Sequence, residues 1–318
     1  MHILYPEIRP EIEHTITTPD GQSLFVEVCG SSDGIPVVVL HEGPGLGCEP
    51  WHRQFFDPQE YRIILFDQRG CGRSSPFAEI QYQSIDHQLQ DLETIRQALG
   101  IEKWLLFGCD WGALLALFYI EAFSEHALGF IGVGMSLAND TECAWRYQKG
   151  ANLFFPDYWE AFLRGLSTET DPLVALQQRL EGRDEIARMS AAKAWALWHG
   201  RLATRHSDIS VIEWMADPHR AIAFATLCAH YYQPDNRPTN EQILKAAEAL
   251  RRLACCTLIH GRFDMLSPLA NVWRIIEQAP NVHLDIVRDA GHAAIETAMV
   301  DAIVRTTHTF ARRLRSKP

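Results

Sequence analysis

Apolar, β-branched runs alternate with amphipathic ones along the first part of the chain. "QSLFVEVCG" (22–30), "IPVVVLHEG" (35–43) and "YRIILFDQRG" (61–70) have the pattern of buried strands. In "IDHQLQDLETIRQALG" (85–100) apolar residues return every three or four positions, which predicts an amphipathic helix stopped by Gly100. "KWLLFG" (103–108) predicts a strand, "ALLALFYIEAF" (113–123) a helix and "HALGFIGVGMS" (126–136) another strand. This strand–helix rhythm predicts an α/β fold, a mainly parallel doubly wound sheet with helices on both faces.

The pattern changes between 138 and 246. Aromatic residues and helix formers dominate "CAWRYQKGANLFFPDYWEAFL", "AAKAWALWHGRL" and "VIEWMADPHRAIAFATLCAHYYQPDN". Five of the nine tryptophans (Trp145, Trp159, Trp195, Trp198 and Trp214) fall here, enough for a small core of its own. The segment reads as a helical cap over the carboxyl edge of the sheet, sharing a few aromatics with a pocket beneath it. Strand rhythm resumes at "LACCTLIHGRFD" (253–264) and "VHLDIVRDAGH" (282–292), and a helix ends the chain. The predicted organisation is a core of 1–137 and 247–318 with a cap of 138–246, without internal repeats.

Composition narrows the partners. With 47% hydrophobic and 22% charged residues the 318-residue chain is ordinary for a soluble enzyme. A net charge of −11 argues against nucleic acid or an anionic membrane surface, because both select basic patches. "MHILYPEIRPEIEH" lacks a basic-then-apolar leader, and no apolar run approaches the roughly 18 residues of a membrane span, so a cytoplasmic location is expected. The eight cysteines show no Cys-x-x-Cys spacing, which predicts reduced thiols, no disulfide framework and no metal site. No cofactor is expected either, and the partner is a small-molecule substrate.

"LLFGCDWGALLALFY" (105–119) carries the chemistry. It has the frame of a Gly-x-Ser-x-Gly elbow, in which a sharp strand-to-helix turn exposes a nucleophile, but Asp110 stands at the tip. Asp264 and His292 end two later strands, and carboxyl ends of parallel strands are where such sheets place ligands. Nucleophile, acid and histidine in that chain order are the order of the α/β-hydrolase fold. The glycine-rich turn of "VVVLHEGPGLG" (37–47) predicts an oxyanion hole formed by the backbone N–H groups of Gly43 and Trp111.

"HEGPGLGCEPWHRQFFDPQEYRIILFDQRGCGRSSP", followed by "WRYQKGANLFFPDYWEAF", "WALWHG", "AHYY", "HGRFDMLSP" and "DAGHAAIE", resembles the proline iminopeptidases, α/β-hydrolases with a helical cap. The resemblance spans nearly the whole chain. It implies a serine at position 110 and two cap glutamates that hold a substrate amine, at positions 199 and 228. This chain has Asp110, His199 and Cys228 instead, and Glu42 where the family has glycine. The Gly-x-Asp-Trp-Gly elbow is similar to that of epoxide hydrolases and haloalkane dehalogenases.

A carboxylate attacking an amide gives a mixed anhydride, less stable than its precursor. Attack on a strained or activated sp3 carbon gives an alkyl ester, which water activated by histidine can hydrolyse. The expectation is therefore an epoxide hydrolase and not a peptidase, with Asp110 as nucleophile, His292 as base and Asp264 as its orienter. Haloalkane dehalogenation is the alternative, with a non-hydrolytic or binding role after it. Tyr231 is the first expected proton donor to the leaving oxygen and Tyr232 the second, with Tyr147 a further phenol. Trp198 is a possible halide donor. His199, Cys228 and Glu42 complete the expected pocket, Glu42 as a proton donor whose pKa Asp110 raises, or as a solvated bystander.

Overall fold

The computed structural model describes residues 1–164, 166 and 171–315. Eight strands form one sheet: β1 (Ile12–Thr17), β2 (Ser23–Gly30), β3 (Ile35–Leu40), β4 (Tyr61–Phe66), β5 (Trp104–Cys109), β6 (Ala127–Val133), β7 (Cys256–Gly261) and β8 (His283–Val287). Their spatial order is β1-β2-β4-β3-β5-β6-β7-β8. The β1–β2 and β2–β4 pairs at one edge are antiparallel and the remaining pairs are parallel. β3 to β7 are almost wholly buried, which is why they read as continuous apolar runs. β1 departs from the sequence reading. Its "IEHTIT" alternates exposed and half-buried positions on the sheet edge, so no apolar run marks it.

Helices α1 (Ile85–Ala98) and α2 (Trp111–Ala122) join the central strands. After β6 the chain enters the predominantly helical segment: α3 (Asp140–Tyr147), α4 (Pro156–Leu163), α5 (Pro172–Leu180), α6 (Glu185–Ala203), α7 (Ile209–Met215), α8 (Pro218–Tyr231) and α9 (Asn240–Ala249). α10 (Leu269–Gln278) and α11 (Thr297–Arg315) complete the core. α9 packs on α2 and α10, so the expected cap boundary at 246 falls inside a helix that already lies on the core. No helix among the described residues is long and apolar enough to cross a membrane.

Two apolar clusters sandwich the sheet. One joins its α1–α2 face to the cap through Trp111, Tyr147, Trp195 and Trp198, and the other packs β-strand residues against α11. Most cap aromatics therefore serve packing. α2 lies close to β3 because residue 112 has no side chain: a Cβ there would sit 2.1 Å from the Leu40 carbonyl oxygen.

The motif "FDQRGCGRS" is structural. Arg69 forks onto Asp91 at 2.5 and 2.6 Å with both side chains buried. Asp67 accepts the Cys48 N–H at 2.7 Å and the Arg73 N–H at 2.9 Å. The Gln68 N–H donates to His41 Nε2 at 3.1 Å, and His41 Nδ1–H donates to the Glu42 carbonyl at 2.7 Å. These bonds fix the glycine-rich turn after β3.

Candidate active site

Asp110 sits between β5 and α2 with φ 50° and ψ −116°, a conformation rare for a residue with a Cβ. Close packing of Gly112 on β3 and the bond from the Asp110 N–H to the Val133 carbonyl at 2.9 Å hold it there. The carboxylate is buried, and its two oxygens differ in surroundings. Oδ2 accepts the Gly43 N–H at 3.2 Å. Oδ1 lies 3.4 Å from His292 Nε2 and 3.5 Å from Arg146 Nη2. Gly43 has φ +145° and leads into the turn after β3, and its N–H reaches the Asp110 carboxylate. Trp111, the expected second donor, is the first residue of α2, with its indole buried against Tyr231 at 4.5 Å between ring centroids.

His292 Nδ1–H donates to Asp264 Oδ2 at 2.8 Å. Asp264 Oδ1 accepts the N–H groups of Leu266 at 2.9 Å and Ser267 at 2.7 Å. The backbone N–H of His292 donates to the Ala203 carbonyl at the end of α6, which ties the histidine loop to the cap. Burial disfavours the His292 cation, yet the carboxylates of Asp264 and Asp110 outweigh it and push the imidazole up to about 10. Burial likewise opposes the charge on Asp110, but His292 and Arg146 hold it well below the ordinary carboxylate range. The resting site is an imidazolium between two carboxylates.

Sequence reasoning passed over Arg146, on α3 of the cap. Its guanidinium is buried, with Nε donating to the Leu266 carbonyl at 2.7 Å and Nη1 to the Tyr232 hydroxyl at 2.9 Å. Nη2 pairs with Glu142 Oε1 at 2.7 Å. Glu142 also accepts from Ser136 Oγ at 2.5 Å, the Leu137 N–H at 2.9 Å and Asn271 Nδ2 at 2.7 Å. The only signal in the sequence is the Glu142–Arg146 spacing of four, common on any helix.

A cavity of about 280 Å³ opens against the site, and Glu42, His199 and His292 meet Trp51, Trp214 and Met215 in its wall. The wall is mostly apolar, and Glu42 is its one acidic residue among the described residues. A larger cavity, about 400 Å³, is walled by α1, α2, Tyr231 and Lys245 and contains none of Asp110, His292 and Asp264.

Several expectations need correction. Tyr231 does not turn its hydroxyl to Asp110: it donates to Gln83 Oε1 at 2.9 Å and accepts from Gln88 Nε2 at 3.1 Å. Trp198 Nε1 donates to the Arg146 carbonyl at 3.1 Å, so it holds the cap together and is not free for a halide. Tyr147 accepts from Trp195 Nε1 at 3.0 Å inside the cap. Glu42 is not a proton donor of raised pKa. Burial pushes it up, but His52, 3.0 Å away, overrides this and leaves it lowered. Tyr232 meets the site only through Arg146, and Cys228 is a buried thiol pushed well up by burial.

His199 does lie beside Asp110 and His292. Its ring faces His292 edge-on with 6.2 Å between centroids, and burial lowers it to about 3, so it is neutral. Asp110, His199 and His292 each bring a potential metal-ligand atom within 4.8 Å of the others. The Arg146 guanidinium and the imidazolium place positive charge at the same point and oppose a cation there.

The family described as alpha/beta hydrolase fold matches residues 35–298. Proline iminopeptidase of Xanthomonas citri is 38% identical over 314 residues, covering 98% of this chain and 100% of that protein. Proline iminopeptidase of Xylella fastidiosa is 37% identical over 313 residues, with the same coverage. Among solved structures, a putative aryl esterase from Burkholderia cenocepacia aligns with a TM-score of 0.67 at 20% identity, covering 96% of this chain and 100% of that one. Proline iminopeptidase from Mycobacterium smegmatis aligns with a TM-score of 0.61 at 17% identity, covering 95% and 99%. This chain belongs to the alpha/beta hydrolase fold family, and its similar relatives include proteins named proline iminopeptidase.

Proposed function

We propose that the protein is a hydrolase that uses Asp110 to attack an electrophilic sp3 carbon, with an epoxide as the preferred substrate. The observation that carries this reading is the orientation of Asp110: Oδ2 on the Gly43 N–H, Oδ1 beside His292, and His292 backed by Asp264. Attack by Oδ1 breaks the epoxide C–O bond and leaves an alkyl ester of Asp110. His199 donates a hydrogen bond to the opening oxygen, a role suited to a neutral imidazole. Alkylation removes the charge of Asp110, one of the two carboxylates that hold the proton on His292. The proton leaves, which balances the one taken up by the opened oxygen, and His292 becomes a base. It then activates water against the ester carbonyl, whose oxygen Oδ2 already sits on Gly43.

The apolar cavity and the ionised Glu42 favour a compact substrate without negative charge. Haloalkane dehalogenation is weakened because Trp198 is engaged with Arg146. One observation favours a second reading: relatives 37% and 38% identical are named proline iminopeptidase. Against it stand the poor reactivity of a carboxylate with amides and, on the family resemblance, the loss of amine-holding glutamates at His199 and Cys228. Steady-state assays with neutral aryl epoxides, haloalkanes and proline arylamides separate the readings. Turnover of an epoxide, lost in Asp110→Asn, is the expected result. Arylamide release lost in the same variant supports the peptidase.

A further inference from the structure

Resting on this reading of Asp110, we propose that Arg146 is a second catalytic residue, one that stabilises the alkoxide expelled when the Asp110 ester is hydrolysed. Oδ1 is the oxygen that carries the alkyl group, because Oδ2 occupies the oxyanion hole. Water adds to Cγ and gives its proton to His292. The tetrahedral intermediate collapses by breaking Cγ–Oδ1, and Oδ1 departs as an alkoxide that takes the proton back from His292. The new carboxylic acid returns a proton to His292, and the ion pair is restored. Negative charge therefore develops twice, on Oδ2 and then on Oδ1. The backbone N–H of Gly43 bonds the first oxygen. On the side of the second, Arg146 Nη2, 3.5 Å from Oδ1, is the fixed cation, beside His292, whose proton is itself transferred in the step.

The guanidinium is built for this position and is not a receptor for a substrate anion. Its Nε, Nη1 and Nη2 are already committed to Leu266, Tyr232 and Glu142, and the network around Glu142 fixes it from three elements. It is buried, and a fixed charge in a buried site acts strongly on a developing one without reorganising. The neutralising partner Glu142 keeps Arg146 from locking Asp110 into an inert bidentate pair. Contact with Oδ1 stays at 3.5 Å, against 2.7 Å to Glu142.

Single-turnover kinetics on a series of epoxides, giving esters of alcohols of graded acidity, test the role. Arg146→Lys and the charge-neutral pair Arg146→Gln/Glu142→Gln are compared with the wild type, and thermal melts select the variants that fold. Ester hydrolysis in the double variant should slow by roughly 10²-fold, the loss typical of one oxyanion donor. Arg146→Lys should recover part of it, and the defect should shrink as the departing alcohol becomes more acidic. Alkylation should slow much less. Unchanged hydrolysis, or a defect independent of alcohol acidity, overturns the role of Arg146 and leaves the nucleophile intact. Failure of His292→Ala to accumulate any ester overturns the nucleophile itself.

Discussion

An aspartate at position 110 is held ionised in a buried, positively surrounded pocket, which is the state a nucleophile requires. Asp110→Asn should abolish turnover while substrate binding persists, measurable by calorimetry beside the assay. His292→Ala should stop after one alkylation, with the ester visible by intact mass, because alkylation needs no base and hydrolysis does. The ion pair also sets a pH dependence of stability. His292 rises from an ordinary 6.5 to about 10 on folding, so its contribution is complete below about 6.5 and fades as pH climbs through about 10. Asp110 is lowered, so its contribution is present above the carboxylate range and lost in acid. Denaturant midpoints should therefore fall on the alkaline side in the wild type and stay flatter in Asp110→Asn. Equal alkaline slopes would argue against the ion pair.

The elements that carry the reactive groups were legible where their signals are local. The Gly-x-Asp-x-Gly frame, Asp264 and His292 announce themselves at the ends of β5, β7 and β8, because strand ends are marked by turn residues. Apart from His199, named through the family resemblance, groups on the cap helices were not, because a helix face gives no sign of which core residue it will cover. Arg146 on α3 and the turning of Tyr231 on α8 depend on how those helices dock. Tyr231 illustrates the difference: its hydroxyl joins α8 to Gln83 and to Gln88 on α1. Tyr231→Phe should cost about 1–3 kcal/mol by leaving buried amides unpaired, seen as a lower melting temperature. Alkylation should be nearly unchanged. A large alkylation defect with unchanged stability would restore the phenol as proton donor.

The chain keeps the mostly parallel, helix-flanked sheet of its family and gathers a buried charge set beside it. Asp110, Asp264 and Glu142 face Arg146 and His292, while Glu42 pairs with His52 at the cavity edge. The overall α/β architecture was readable from the strand–helix rhythm, since period and burial are properties of the sequence. Of the charge set, Asp110, Asp264, His292 and Glu42 were named from the sequence, whereas Arg146, Glu142 and His52 were not, since their pairing is made only in the fold. Glu42 predicts a selectivity: an epoxide bearing a carboxylate should show a lower kcat/KM than its neutral isostere, and Glu42→Gln should narrow the gap. No difference between the two substrates would remove Glu42 from recognition.

The central claim is that Asp110 forms a covalent ester and that water enters the product only through it. Single turnover of an epoxide in heavy-oxygen water, followed by peptide mass spectrometry, reads this directly. The label should appear in the peptide containing Asp110, and the diol from the first turnover should carry none of it, having taken its new oxygen from Oδ1. Label found in the diol with Asp110 unlabelled would mean that the carboxylate only activates water, and the covalent account would be wrong.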